Sequence, residues 1–236
     1  MSKVIDELFK AGAHYGYSKS RRHPSVSKYI FGAKNGVEIF DLEKTEELLD
    51  KAKNFVKELA SEGKQILFVA GKRQATRIVK DYAQKVDQPY VTGRFIGGTI
   101  TNFEEISKRV KRLDDLTTQK EKGLLAKYTK KERLLIDREI EKLNERFGGI
   151  TNMLRKPSAL FIVDSDQEDI ALKEALIEGI PVISLCGSDC DISKLNYPIV
   201  ANDSSVESIE YFVKEIALSY EEGSKNKKTR VEERQK

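Results

Sequence analysis

Few residues of this chain have types that can do chemistry. There are two histidines, His14 and His23, two cysteines, Cys186 and Cys190, and four aspartates, Asp164, Asp166, Asp189 and Asp191, in two short segments. A Ser-His-Asp or Cys-His site needs an imidazole beside its nucleophile. Both histidines lie in an amino-terminal basic stretch, far in sequence from either cysteine. Cys186-x-x-x-Cys190 offers two thiols where structural zinc usually takes four soft or imidazole ligands, so packing at a strand end is the better reading. Gly71-Lys72 follows an apolar run but lacks the upstream glycine and the Ser/Thr of a phosphate loop, and no G-x-G-x-x-G follows a strand candidate. The four aspartates fall just after two strand candidates and could gather on one edge. A structural Mg2+ near Asp164 and Asp189 would find oxygen ligands there, with helix caps and solvated turns as the competing reading. No metal and no catalytic residue is assigned from these patterns.

The stretch RFIGGTITNF, residues 94–103, offers different chemistry: two bare glycines and a run of neutral hydrogen-bonding groups, without an acid, a His or a Cys. Gly97-Gly98 lets a backbone or a phosphate come close, because neither residue has a Cβ. Thr99, Thr101 and Asn102 can donate to phosphate or ribose. Asn102 is also placed to cap a following helix, with Glu105 as its capping-box partner.

Net charge is only +4, but it is unevenly spread. Residues 1–155 hold 32 Lys/Arg against 22 Asp/Glu, residues 156–224 hold 4 against 14, and residues 225–236 hold 6 against 2. Three stretches, Leu8 to Val37, Lys64 to Lys80 and Gln88 to Phe103, contain no carboxylate, as a phosphate-facing surface requires. In the first, Lys19, Arg21, Arg22, His23, Lys28 and Lys34 are interleaved with Tyr29 and Phe31, a mixture suited to stacking on bases and meeting phosphates. Asn35, Lys72, Arg73, Gln74 and Arg94 extend this set, and Lys108, Arg109, Lys111 and Arg112 continue it on a helix. Two cysteines imply thiols in a reducing compartment. The start MSKVIDELFK lacks the apolar region of a signal peptide and no apolar run is long enough to span a membrane, so the expected location is cytoplasmic, with no membrane partner.

Positioning these groups requires alternating elements. Residues 66–70, 160–163 and 182–185 read as strands buried on both faces, with a further strand pair around 29–39. Helical periodicity covers about 43–61, 74–86, 167–178 and 205–220. The alternation predicts an α/β protein with a doubly wound parallel sheet. From Asn102 to Phe147 there is no strand candidate. Ile106, Val110 and Leu113, then Ile136, Ile140, Leu143 and Phe147, form two narrow seams, predicting an inserted antiparallel helical hairpin of coiled-coil type that turns between Thr117 and Thr129. The expected division is an α/β domain of residues 1–103 plus 150–222, a hairpin of 104–149, and a flexible basic tail of 223–236. A nucleotide-dependent enzyme on the same fold and a hairpin-mediated dimeric adaptor are the rival readings; the missing glycine loop argues against the first.

At these residues the chain resembles a known family. YIFGAKNGVEIFDLEKT (29–45), ILFVAGKRQA (66–75), RFIGGTITNF (94–103), FGGI (147–150), FIVDSDQEDIALKEA (161–175), GIPVISL (179–185) and NYPIVANDSSVESI (196–209) stand in the order and spacing of the bacterial small-ribosomal-subunit protein S-two family. The resemblance covers residues 4–222. It implies a flavodoxin-like α/β domain with an inserted helical hairpin, no catalytic activity and no cofactor or small-molecule substrate. It implies a structural role in the small subunit, binding rRNA between head and body beside other ribosomal proteins and, in many bacteria, helping to anchor the messenger-binding protein S-one. Phe95 stands where the family commonly has Trp, Tyr17 where it has a second His, and Arg22-His23-Pro24 where it has Trp-Asn-Pro. Cys190 matches a family cysteine, whereas Cys186 falls at a position usually aliphatic.

Overall fold

Strand Ile66–Ala70 (β4) is an inner strand of the protein's parallel sheet, with both of its faces apolar and covered. Ile66, Phe68 and Ala70 enter one hydrophobic core and Leu67 and Val69 the other, so the sheet separates two cores. The computed structural model describes residues 3–234, with side chains through residue 225. Around β4 runs a parallel sheet completed by Tyr90–Thr92 (β5), Ala159–Val163 (β6), Val182–Cys186 (β7) and Tyr197–Val200 (β8), in the order β5-β4-β6-β7-β8. Relative to chain order this is the flavodoxin-like arrangement, whose switch point lies between its first and third strands, here β4 and β6.

Helices Leu42–Ser61 (α2), Arg73–Lys85 (α3) and Val206–Arg234 (α7) cover the first core. Their buried stripes follow helical spacing: Leu49, Ala52 and Val56 on α2, Ala75, Val79 and Ala83 on α3, Ile209, Val213 and Ile216 on α7. Asp169–Ile177 (α6) buries Ala171, Leu172 and Ala175 in the second core. Between β5 and β6 the chain leaves the body as two helices, Phe103–Glu121 (α4) and Lys130–Phe147 (α5). Arg112 pairs with Glu139 at 3.1 Å and Lys120 with Asp137 at 2.7 Å, so the two helices run antiparallel. The turn is shorter than the sequence predicted, because α4 continues to Glu121 and Thr129 starts α5 with a capping box to Glu132. Ile106, Leu113, Leu116 and Phe147 are buried along the pair, while Val110, Ile136, Ile140 and Leu143 are half-buried.

Four elements were not anticipated: helix Lys3–Lys10 (α1), strand Tyr15–Ser18 (β1), β5 and β8. Strand β1 joins Ile30–Lys34 (β2) and Val37–Phe40 (β3) in a separate antiparallel sheet of order β1-β3-β2. Strands β5 and β8 are edge strands, and β8 carries Pro198, a residue tolerated at an edge because no ladder bond is needed on its outer side. The expected tail boundary at 223 falls inside α7, whose backbone continues to Arg234. Gly223 is buried, and a Cβ there would meet the Lys57 carbonyl at 2.4 Å. The side chains of the remaining tail and its last two residues lie outside the described residues.

The hairpin returns to the body through Gly148–Ile150, where the backbone presses on edge strand β5. A Cβ on Gly149 would lie 2.2 Å from the Tyr90 carbonyl oxygen, backbone that cannot swing aside. Gly149→Ala is therefore expected to cost about 1–3 kcal/mol in chemical denaturation. Gly32→Ala, where nothing lies within 4 Å of the new atom, should stay within about 0.5 kcal/mol of wild type. Equal losses at both positions would contradict the close approach.

Candidate nucleic-acid interface

Three chain segments end together at the carboxyl edge of the parallel sheet. Lys72 follows β4, Asp164 follows β6 and Asp203 follows β8. The Lys72 ammonium lies 2.7 Å from Asp164 and 2.8 Å from Asp203, with Lys72 and Asp164 side chains 12% exposed and Asp203 2%. Burial alone would lower the Lys72 ammonium, but Asp203 and Asp164 outweigh it and hold it well above the usual lysine range. For Asp203, burial pushes the carboxyl up and Lys72 opposes it. The Tyr17 hydroxyl donates to Asp203 at 3.2 Å. Lys72 thus departs from the expected phosphate-facing cation: its charge is used inside the protein.

The aspartate cluster also differs from expectation. Asp164, Cys190 and Asp203 have ligand atoms within 4.8 Å of one another. Asp189 lies beside this group, its carboxyl raised by burial and by the charges of Asp203 and Asp164, and also pairs with Arg21 at 3.2 Å, whereas Asp166 is exposed and Asp191 pairs with Lys194 at 3.1 Å. Bonds from Ser193 and Lys194 hold the Asp191 carboxyl down at about 2. The sequence missed Asp203 because β8, the strand it follows, was not read as a strand. Both cysteines are buried and free, and the proximity of Cys186 together with burial pushes the Cys190 thiol far up, so it is neither nucleophile nor ready ligand.

Gly97-Gly98 admits an anion, but one from the chain itself. The Glu174 carboxylate on α6, in a residue 7% exposed, accepts from the backbone N–H groups of Gly98, of Ile100 at 2.9 Å and of Thr101 at 3.1 Å. This latch fixes the root of α4 on the body. Thr99 is buried and its hydroxyl donates to the Ile96 carbonyl at 2.6 Å, so it is no surface contact. Thr101 and Asn102 are exposed. Asn102 occupies the N-cap position of α4, yet its side chain makes no capping bond, and Glu105 pairs with Lys108 instead.

In the amino-terminal basic loop, some charges are also taken. Arg22 donates at 3.0 Å to Glu38, which is 1% exposed, so its role is to neutralise a buried acid. Arg21 lies 4.4 Å over the Tyr17 ring and remains 61% exposed despite its bond to Asp189. His23 is tied by its backbone N–H to the Ser188 carbonyl at 2.8 Å, and its Nδ1 accepts from Ser25 N–H at 3.3 Å. Lys28 lies 5.0 Å over the Tyr29 ring. Asn35 and Gly36, at φ 52° and 79°, form the two-residue turn between β2 and β3, which explains Asn35 without any ligand. Lys19, Lys34, Arg73, Gln74, Arg94, Arg109 and Lys111 are exposed. None of the six cations among these makes an ion pair among the described residues, whereas Lys108 and Arg112 are paired to Glu105 and Glu139.

The geometry defines a doubly wound α/β protein whose sheet edge carries an internal ion triad, with further cations exposed and unpaired among the described residues. Comparison with known proteins gives the family. The family model described as ribosomal protein S2 matches residues 8–223. The chain is 40% identical over 99% of its length to the small ribosomal subunit protein uS2 of Salinibacter ruber, covering 73% of that protein. It is 43% identical to that of Karelsulcia muelleri over 89% of this chain and 94% of the relative, and 42% identical to that of Marinobacter nauticus over 93% and 88%. The chain belongs to the ribosomal protein S2 family and is a structural component, not an enzyme.

One acid at this edge titrates near neutrality. Burial pushes the Glu168 carboxyl up to about 7 from the ordinary 4.5, against the pull of the Gly71 N–H. The folded protein therefore holds this proton more tightly than the unfolded chain, and the stability it confers is lost as pH rises from about 4.5 through 7. Between pH 5 and 8 this loss should amount to about 1–2 kcal/mol. Glu168→Gln should remove that part of the pH dependence in denaturation midpoints; an unchanged difference between the two pH values would contradict the shift.

Proposed function

We propose that the protein serves the small ribosomal subunit by binding its rRNA through outward-facing cations of the α/β body and of the hairpin, between the subunit's head and body. The observation that carries this reading is the division of the basic residues. Lys72 and Arg22 neutralise buried acids, while Lys19, Lys34, Arg73, Arg94, Arg109 and Lys111 are exposed and unpaired among the described residues. Unpaired surface cations are what phosphate contacts need, since each releases a counterion from RNA on binding. Thr101 and Asn102 add neutral donors at the hairpin root.

Exposed carboxylates such as Asp166, Glu207 and Glu210 lie in the acidic part of the chain and repel RNA. That surface is left for neighbouring ribosomal proteins, S-one among them where it is present. No metal enters this reading, because a Mg2+ between Asp164 and Asp203 would have to displace Lys72. Among the described residues no helix is long and apolar enough to cross a membrane, and the place of action is the cytoplasmic ribosome.

The experiment is sucrose-gradient sedimentation of the tagged full-length chain in lysate at rising salt. The wild type should co-migrate with small subunits. Arg73→Ala/Arg109→Ala/Lys111→Ala should be released at lower salt, with a log-affinity against log-salt slope flatter by about 2. Arg22 is left intact because its loss would strand Glu38. Migration of the wild type as free protein would overturn the reading, and identical slopes would remove these three residues from it.

A further inference from the structure

Along edge strand β5 the surface holds three hollows of about 390, 420 and 430 Å³. The first and second share Gly93, Arg94 and Ile170, and the second and third share Thr92 and Arg146. They therefore form one trough, from the carboxyl ends of β4 and β6 past the hairpin root to α3. We propose that this trough seats an unpaired segment of RNA, its phosphates on Arg94, Arg146 and Lys80 and a splayed-out base at the Gly71–Glu168 end. This rests on the rRNA-binding reading above and adds a site, since Arg146 belongs to none of the basic groups singled out in the sequence and Lys80 only closes the acid-free stretch 64–80.

Charge and shape along the trough carry the proposal. Arg94, Arg146 and Lys80 are all exposed, and none makes an ion pair among the described residues. Glu145 is the one carboxylate on that stretch of the lining, so the cations prevail there. Bare backbone at Gly93 and Gly97 lets a sugar-phosphate chain come close. An added Cβ at Gly93 would meet nothing within 4 Å, so the wall there is open.

The far end has opposite chemistry. Its lining presents the Glu168 carboxyl, the Gln167 side chain and Ile170, which is 48% exposed. The Gln167 amide can pair with the N–H and carbonyl groups of a base edge, and the exposed Ile170 side chain covers a base face. Only a base out of its stack reaches such a floor, because the width of a duplex keeps paired bases on the rim. The trough thus offers cations to phosphates at one end and polar and apolar side chains to a base at the other.

The test is fluorescence anisotropy of the full-length protein with an unstructured dodecaribonucleotide and with an RNA duplex of the same length, at several salt concentrations. The single strand should bind at least about tenfold more tightly than the duplex. Lys80→Ala/Arg94→Ala/Arg146→Ala should weaken single-strand binding by about tenfold or more and flatten its salt slope by about 2. The charge-keeping variant Lys80→Arg/Arg94→Lys/Arg146→Lys should retain the slope, and all three proteins should melt alike, since these side chains are exposed. Equal binding of duplex, absence of single-strand binding by the wild type, or an unaltered slope in the alanine variant would overturn the trough. If that happens while the wild type still co-migrates with small subunits, the trough alone fails; loss of co-migration by the wild type would instead sink the rRNA reading itself.

Discussion

Two carboxylates at the carboxyl edge of the sheet, Asp164 and Asp203, can be buried side by side only because the Lys72 ammonium lies between them. Removing an ion from water costs several kcal/mol, and the cost is offset here by two short ion pairs and the Tyr17 hydroxyl. Since Lys72 follows the first strand of the parallel sheet, Asp164 the third and Asp203 the fifth, one cation gathers the loops of two adjacent inner strands and of the far edge. In doubly wound proteins that crevice commonly takes a ligand. In this protein an internal ion triad occupies part of that edge.

The same economy governs the hairpin. A long helical projection needs a rigid root if its cations are to meet a fixed RNA surface. The Glu174 carboxylate provides it by accepting three backbone N–H groups of the Gly98–Thr101 segment, where Gly98 takes φ 88°. Gly149 against Tyr90 fixes the chain where it returns from α5. Helix α4 is thus held at its start by α6, and α5 at its end by β5, before any RNA is present.

Much of this was legible in sequence. Strands buried on both faces announce themselves as apolar runs, so the central strands, the α/β alternation and the interruption by two helices were readable. Short elements were not: β5 has three residues, β1 is Tyr-Gly-Tyr-Ser, and β8 contains Pro198. Missing β8 hid Asp203, and with it the partner that turns Lys72 inward. The candidate interface was read by type, and type does not say which way a charge faces. Lys72, Arg22, Thr99 and Asn35 sit in basic or hydroxyl-rich stretches, yet each serves the protein's own interior or turns. Arg146 lies among carboxylates and Lys80 closes an acid-free stretch on an ordinary helix, and their shared trough with Arg94 is what joins them.

The central claim is that the basic residues divide into an inward set that holds the protein together and an outward set that meets RNA. The most direct measurement is the amine reactivity of individual lysines, read by mass spectrometry, in the free protein and in small subunits carrying it. Lys72 should be unreactive in both, while Lys34 and Lys111 react in the free protein and are protected in the subunit. Lys72 reacting in the free protein and becoming protected only in the subunit would contradict the account, because its charge would then belong to the RNA.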